Sequence, residues 1–264
     1  GSSVMIPRPC RGMRPPLYGP CRLSAEDGIH GVRLPPEWLW NEGLRNPNGG
    51  SLMKNVESLL QGNELFQKNY FRKNESQLLD LVSSGQHPKA LFIGCADSRV
   101  IPSLITNAPP GQLFVLRNVG NFVAPYKPDE DYHATASGIE YAVTTLNISE
   151  IIICGHTHCG AIEALYKDIN GKQLIHTKKW LSLGKKAKDL ALLALGKNAD
   201  REKLLRLTEK LSIIFQIENL LTYPYVRRKV NKGTLHIHGW LYHIESGEME
   251  YYDPDEHEFL TLNK

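Results

Sequence analysis

The chain has 264 residues, of which 41 % are hydrophobic and 22 % charged, with a formal net charge of +3. That is ordinary globular composition. The charge is too small to argue for nucleic acid or an anionic membrane as partner, and no stretch approaches the roughly 18 uncharged apolar residues of a spanning helix. Five cysteines, Cys10, Cys21, Cys95, Cys154 and Cys159, make an odd set in a long chain. This argues against a disulfide framework and for a reducing, cytoplasmic setting.

Residues 1–52 differ from the rest. They hold half of the sixteen prolines, six arginines and no lysine, and show neither helical nor strand period. They read as a poorly structured extension of upstream or vector origin: Gly1-Ser2-Ser3 resembles a cloning remnant and Met53 a natural start. Organelle targeting is the rival reading. Residues 53–264 read as one globular domain.

Within that domain, Asn63 to Leu81 carries Leu65, Phe66, Tyr70, Phe71, Leu78 and Leu79 at helical spacing. Gly85-Gln86-His87-Pro88 breaks the pattern, and Ala90-Leu91-Phe92-Ile93 predicts a buried strand running into Gly94-Cys95. Leu113 to Leu116 predicts a second strand. A helix starts near His133, with Ile139, Ala142, Val143 and Leu146 on one face. Ile151 to Cys154 predicts a third strand, followed by a helix from about Gly160. Residues 201–221 form another helix, whose apolar face is Leu204, Leu207, Leu211, Ile214 and Phe215. The chain closes with a hairpin of Leu235–Ile244 and Glu248–Tyr252. Apolar strands alternating with amphipathic helices predict an α/β sheet covered on both faces.

Two segments carry the chemistry: Cys95-Ala96-Asp97-Ser98-Arg99 and His156-Thr157-His158-Cys159-Gly160. Each follows the C-terminal end of a predicted strand, where open α/β sheets hold their ligands. His-x-x-Cys at a helix start puts two side chains on one side of a turn, and Cys95 adds a third soft donor. Two thiolates and an imidazole suit Zn²⁺, and three protein ligands leave a fourth position open for catalysis. His158 competes with His156, but its adjacency to Cys159 makes joint coordination awkward. Cys154, inside its strand, faces the core. Taken singly, each residue has a bland alternative: a strand-end cysteine is usually a small buried hydrophobe, and Asp-Ser-Arg fits a surface ion pair.

Together the two segments resemble the paired signature of β-class carbonic anhydrases. The resemblance runs from about Gly62-Asn63 to Asp253 and includes Gly85-Gln86, Phe92-Ile93-Gly94, Arg117-Asn118-Val119-Gly120-Asn121, Gly138 to Ala142 and His238-Gly239-Trp240. It implies a mostly parallel mixed sheet of about five strands flanked by helices, in a homodimer or homotetramer with active sites at the subunit interface. It implies zinc-dependent, reversible hydration of carbon dioxide to bicarbonate, with zinc on Cys95, His156 and Cys159 and an Asp97–Arg99 dyad beside it. Gln86, Phe114 and Tyr141 would line the carbon dioxide pocket. Some members close the metal site when bicarbonate binds at a second place that uses a Trp. Here that position is Phe92, although Arg117 and Tyr141 match its other parts, so an open site is expected. No proton shuttle is marked; His133 is a guess. The rivals are a carbon disulfide or carbonyl sulfide hydrolase on the same scaffold, a non-catalytic protein whose zinc is closed by Asp97, and a thiol enzyme using Cys95.

Overall fold

A computed structural model describes residues 56–129, 131–168 and 173–261. The chain divides into two units, Gly1–Lys73 and Asn74–Lys264. The expected extension, residues 1–52, lies outside the described residues.

In the first unit, α1 (Glu57–Phe66) runs into a π-helical turn, Gln67–Phe71. Phe66 stacks on Tyr70 with ring centroids 5.6 Å apart, and Leu59, Leu60 and Leu65 are exposed. The second unit opens with α2 (Glu75–Ser84). The helix expected over Asn63–Leu81 is therefore two helices. Apolar spacing continues on both sides of the break, so periodicity does not register the wider π turn or the turn that follows it.

Six strands form one sheet in the order β2-β1-β3-β4-β5-β6. β1 (Ala90–Cys95), β2 (Leu113–Asn118), β3 (Glu150–His156) and β4 (His236–Tyr242) are parallel; β5 (Met249–Asp253) and β6 (Glu258–Thr261) are antiparallel additions. The sixth strand goes beyond the expected five. It is four residues long with two apolar side chains, Phe259 and Leu260, too little alternation to register as a strand in the sequence. From β1 the chain moves outward to β2 and then returns past β1 to β3. The order therefore reverses at the C-terminal ends of β1 and β3, the place where such sheets form a crevice.

β1 and β3 are buried along nearly their whole length, which is why they read as unbroken apolar runs. Leu91, Ile93, Ile151 and Ile153 face a core built with Ile139 and Val143 from the α4 region (α4, Ala134–Glu140, continuing as a π turn through Thr145), Ile213 and Leu220 from α8 (Arg201–Leu220), and Val226 from α9 (Pro224–Asn231). Ala90, Phe92, Ile152 and Cys154 face the other side, where Phe92 meets Trp240 edge-on at 6.5 Å. The remaining helices are α3 (Pro102–Ile105), α5 (Gly160–Ala164), α6 (Ile175–Leu181) and α7 (Lys185–Leu195), which lies along α8.

Helix α8 is capped by Asp200, whose carboxylate accepts the Lys203 N–H at 3.0 Å. Its buried face is Leu204, Thr208, Glu209, Ser212, Ile213, Gln216 and Leu220. This corrects the expected stripe: Leu207, Leu211, Ile214 and Phe215 are only half-buried. Two of the inward polar residues, Glu209 and Gln216, satisfy loop backbone. Gln216 Oε1, for example, accepts the Val123 N–H at 2.8 Å. The helix also lies close to the sheet. A Cβ on Gly155 or Gly239 would stand 2.8 Å from a methyl of Ile213.

Candidate metal centre and active site

Cys95 ends β1, His156 ends β3, and Cys159 immediately precedes α5. All three are buried, and one donor atom from each lies within 4.8 Å of the other two. Zn–S and Zn–N bonds of about 2.3 and 2.0–2.1 Å allow one ion to bridge such a set. The turn between His156 and Cys159 depends on His158, whose backbone is left-handed at φ 56°. Its ring points out of the cluster, 3.7 Å from the Glu245 carboxylate.

The imidazole tautomer follows from the hydrogen bond at the other end of the ring. His156 Nδ1 lies 2.8 Å from the Thr157 carbonyl oxygen. A carbonyl only accepts, so Nδ1 carries the proton and Nε2 keeps its lone pair. Nε2 is buried and has no hydrogen-bond partner. An orphaned, aimed lone pair beside two thiols is the arrangement a soft cation completes.

The thiols make the same point. The Cys95 thiol is driven down chiefly because Cys159 donates to it, and Cys159 is driven up chiefly by the same bond. Two sulfurs close enough to share a hydrogen bond are close enough to share a cation. The Gly120 N–H also points at Cys95 Sγ, at 3.4 Å.

Asp97 stands at the open side of this cluster. Oδ1 accepts from Arg99 Nε at 2.9 Å and Oδ2 from Arg99 Nη2 at 2.8 Å. The paired guanidinium holds the carboxyl well below the usual carboxylate range. Oδ2 is 3.9 Å from His156 Nε2. Arg99 Nη2 also reaches the His158 carbonyl oxygen at 3.1 Å, tying the two segments together. Arg117, on β2, braces the first segment: Nε donates to the Cys95 carbonyl at 2.9 Å and Nη2 to the Asp97 carbonyl at 2.6 Å.

A family model described as carbonic anhydrase matches residues 90–249. A carbonic anhydrase of Synechocystis is 39 % identical over 208 residues, covering 78 % of this chain and 74 % of the relative. The chain belongs to the β-class carbonic anhydrase family. The solved β-carbonic anhydrase CcaA superposes with a TM-score of 0.74 at 36 % identity, over 80 % of this chain and 93 % of that one. Two structures titled tetrameric β-carbonic anhydrases, from Sordaria macrospora, are represented by a chain with TM-score 0.66 and 28 % identity, over 75 % and 96 %. The reaction of the family is hydration of carbon dioxide, its cofactor is zinc, and the buried donors of this chain fit that ion.

Within one chain of this β-carbonic anhydrase, the metal candidates and the dyad converge and the expected pocket residues do not join them. Phe114 pairs with Leu91 in the sheet, four residues before Asn118, which pairs with Cys95; this is about 13 Å along the strand. The Phe114 ring packs against Tyr141 at 5.9 Å. Gln86 is exposed in the loop before β1. His133 pairs with Asp129 at 2.6 Å. Cys154 is buried among apolar neighbours, and burial pushes its thiol up.

Two residues behind the site escaped the sequence reading. Arg117 was noticed only for another role. Glu209 lies off the apolar stripe that the spacing of residues 201–221 marks. The available signal was its alignment with Ile213 and Leu220, four and eleven residues on, an unusual place for a carboxylate. Among the described residues no helix is long and apolar enough to cross a membrane.

Proposed function

We propose that the chain hydrates carbon dioxide reversibly to bicarbonate and a proton at one zinc ion per chain, held by Cys95, His156 and Cys159. The observation that carries this assignment is the buried His156 Nε2, unpartnered and aimed between two thiols. When bound, zinc supplies Lewis-acid chemistry that makes a water-derived nucleophile available near neutral pH.

The protein does the rest. The Thr157 carbonyl fixes the His156 tautomer, so the imidazole presents Nε2. Arg99 keeps Asp97 charged and engages both its oxygens, and the remaining acceptor capacity of Oδ2, the oxygen 3.9 Å from His156 Nε2, would take a proton-bearing nucleophile's hydrogen bond and orient its lone pair. Arg117 has already committed Nε and Nη2 to backbone carbonyls, and Phe92 is packed against Trp240. Both facts favour a site that stays open over one closed by bicarbonate.

The Gln86, Phe114 and Tyr141 pocket belongs, in this reading, to a site completed by a second copy. The distance of Phe114 from Cys95 along the sheet supports this. So does the tetrameric state named for the Sordaria macrospora relatives. A homodimer or homotetramer follows. The free buried cysteines fit a cytoplasmic enzyme, with residues 53–264 as the catalytic domain.

Metal analysis and stopped-flow carbon dioxide hydration test the assignment on wild type and His156→Ala. Wild type is expected to carry one zinc and to turn over; His156→Ala is expected to lose both zinc and activity. Full activity in the metal-poor variant would end the proposal.

A further inference from the structure

Helix α8 carries a carboxylate into the wall behind the metal centre. Glu209 is buried, and its Oε1 accepts the backbone N–H of Cys159 at 3.2 Å. Arg206, one turn earlier, grips the same oxygen through Nη2 at 3.1 Å. The contact spans fifty residues of sequence, so it ties the helix to the metal-bearing turn.

Cys159 links the turn to α5. It sits in extended backbone, φ −72° and ψ 116°, between a left-handed His158 and the first residue of α5. The amide of a residue just outside a helix has no partner within that helix. Left alone, it would be a buried donor without an acceptor, at a cost of about 1–3 kcal/mol. A neutral side chain would satisfy it as well. A carboxylate so close to a sulfur that must become anionic is an electrostatic burden, and the Arg206 guanidinium offsets it.

We infer that Glu209, held by Arg206, is a positioning residue that fixes the backbone of Cys159 and thereby aims its sulfur at the metal. This rests on the zinc assignment above and extends it to a residue outside the metal-binding segments. Partners of this kind around a metal site typically contribute 10–100-fold in metal affinity.

The test compares full-length, zinc-loaded wild type, Glu209→Gln and Glu209→Asn. The readouts are the rate of zinc release to excess chelator and the absorption bands of the cobalt-substituted proteins. Glu209→Gln keeps an acceptor at the same reach, so its release stays within about threefold of wild type. Glu209→Asn is one methylene shorter and withdraws the acceptor. Its zinc release is expected to quicken about 10–100-fold, and its sulfur-to-cobalt bands to shift.

Wild-type release and an unchanged cobalt spectrum in Glu209→Asn would overturn the inference. So would equal acceleration in Glu209→Gln, which would make the effect one of charge rather than position. Should Glu209→Asn not fold, Arg206→Met provides the comparison at a partly exposed side chain. It unclamps the carboxylate and is expected to quicken release several-fold, and a wild-type rate there is a refutation. A wild type that holds no zinc sinks the metal assignment along with this one; a wild type that holds it while every variant matches it sinks only the role of Glu209.

Discussion

Asp97 and Arg99 face each other through two parallel hydrogen bonds of 2.9 and 2.8 Å, and the Arg99 backbone N–H adds a third to Oδ1 at 3.0 Å. The carboxylate is thereby held 3.9 Å from His156 Nε2, near the metal position without occupying it. Arg99→Met removes two of the three restraints and leaves Asp97 free to compete for the metal. Carbon dioxide hydration is expected to fall on the order of 100-fold, the scale for losing one preorganised electrostatic partner, with zinc content unchanged. Activity within twofold of wild type would show that the pairing has no part in catalysis.

The donor set predicts the direction of the pH dependence. Two thiolates cancel more of the ion's charge than imidazoles do, so the site acidifies water less strongly than a three-histidine site. The turnover number is expected to rise from about pH 6 to 9. Stopped-flow rates across that range at constant ionic strength check this, and a flat profile contradicts it.

Gln216 ties α8 to the loop after β2. Its Oε1 accepts the Val123 N–H at 2.8 Å, and Asn219 Nδ2 is 3.4 Å away. Gln216→Leu leaves a buried amide donor unanswered, so a loss of about 1–3 kcal/mol in unfolding free energy is expected. A denaturant titration of the metal-loaded protein measures it. An unchanged midpoint would mean that water or a shifted loop replaces the bond.

Glu150, at the start of β3 and remote from the metal end, accepts from His238 Nε2 at 2.7 Å and meets His236 Nδ1 at 3.2 Å. Partial burial raises its carboxyl, but the two imidazoles outweigh this, and the net shift is downward from 4.5. A carboxyl depressed in the folded state stabilises the fold above its unfolded value and loses that contribution as pH falls through its folded value. Wild type is therefore expected to exceed Glu150→Gln in denaturant midpoint at pH 7, with the gap narrowing as pH falls below 4.5. A gap that persists at low pH would assign the difference to packing.

Most of the metal centre could be read directly from residues, because its parts are short and local. A cysteine ending an apolar run, His-x-x-Cys opening a helix, and Asp-x-Arg two residues on all encode geometry within a single turn. The central strands β1 and β3 were equally legible, since burial on both faces leaves unbroken apolar runs. The face of α8 was not. Glu209 and Gln216 turn inward to accept from the Cys159 and Val123 amides, far away in sequence, and no periodicity carries that demand. The break after Phe71 and the four-residue β6 were hidden for a simpler reason: each is shorter than the window that any repeat needs. The pocket residues were nameable only by resemblance, because nothing in their spacing links them to Cys95.

Gly155 and Gly239 bring helix α8 down onto β3 and β4, with Ile213 seated where two side chains would otherwise stand. The depth of that seat sets how far Glu209, four residues earlier on the same helix, protrudes toward the sulfur-bearing turn. A single methyl placed at Gly239 would act as a shim, lifting the whole rod and carrying its polar cargo with it. The centre can thus be detuned from a position that touches neither metal nor substrate, by altering a clearance rather than a chemical group.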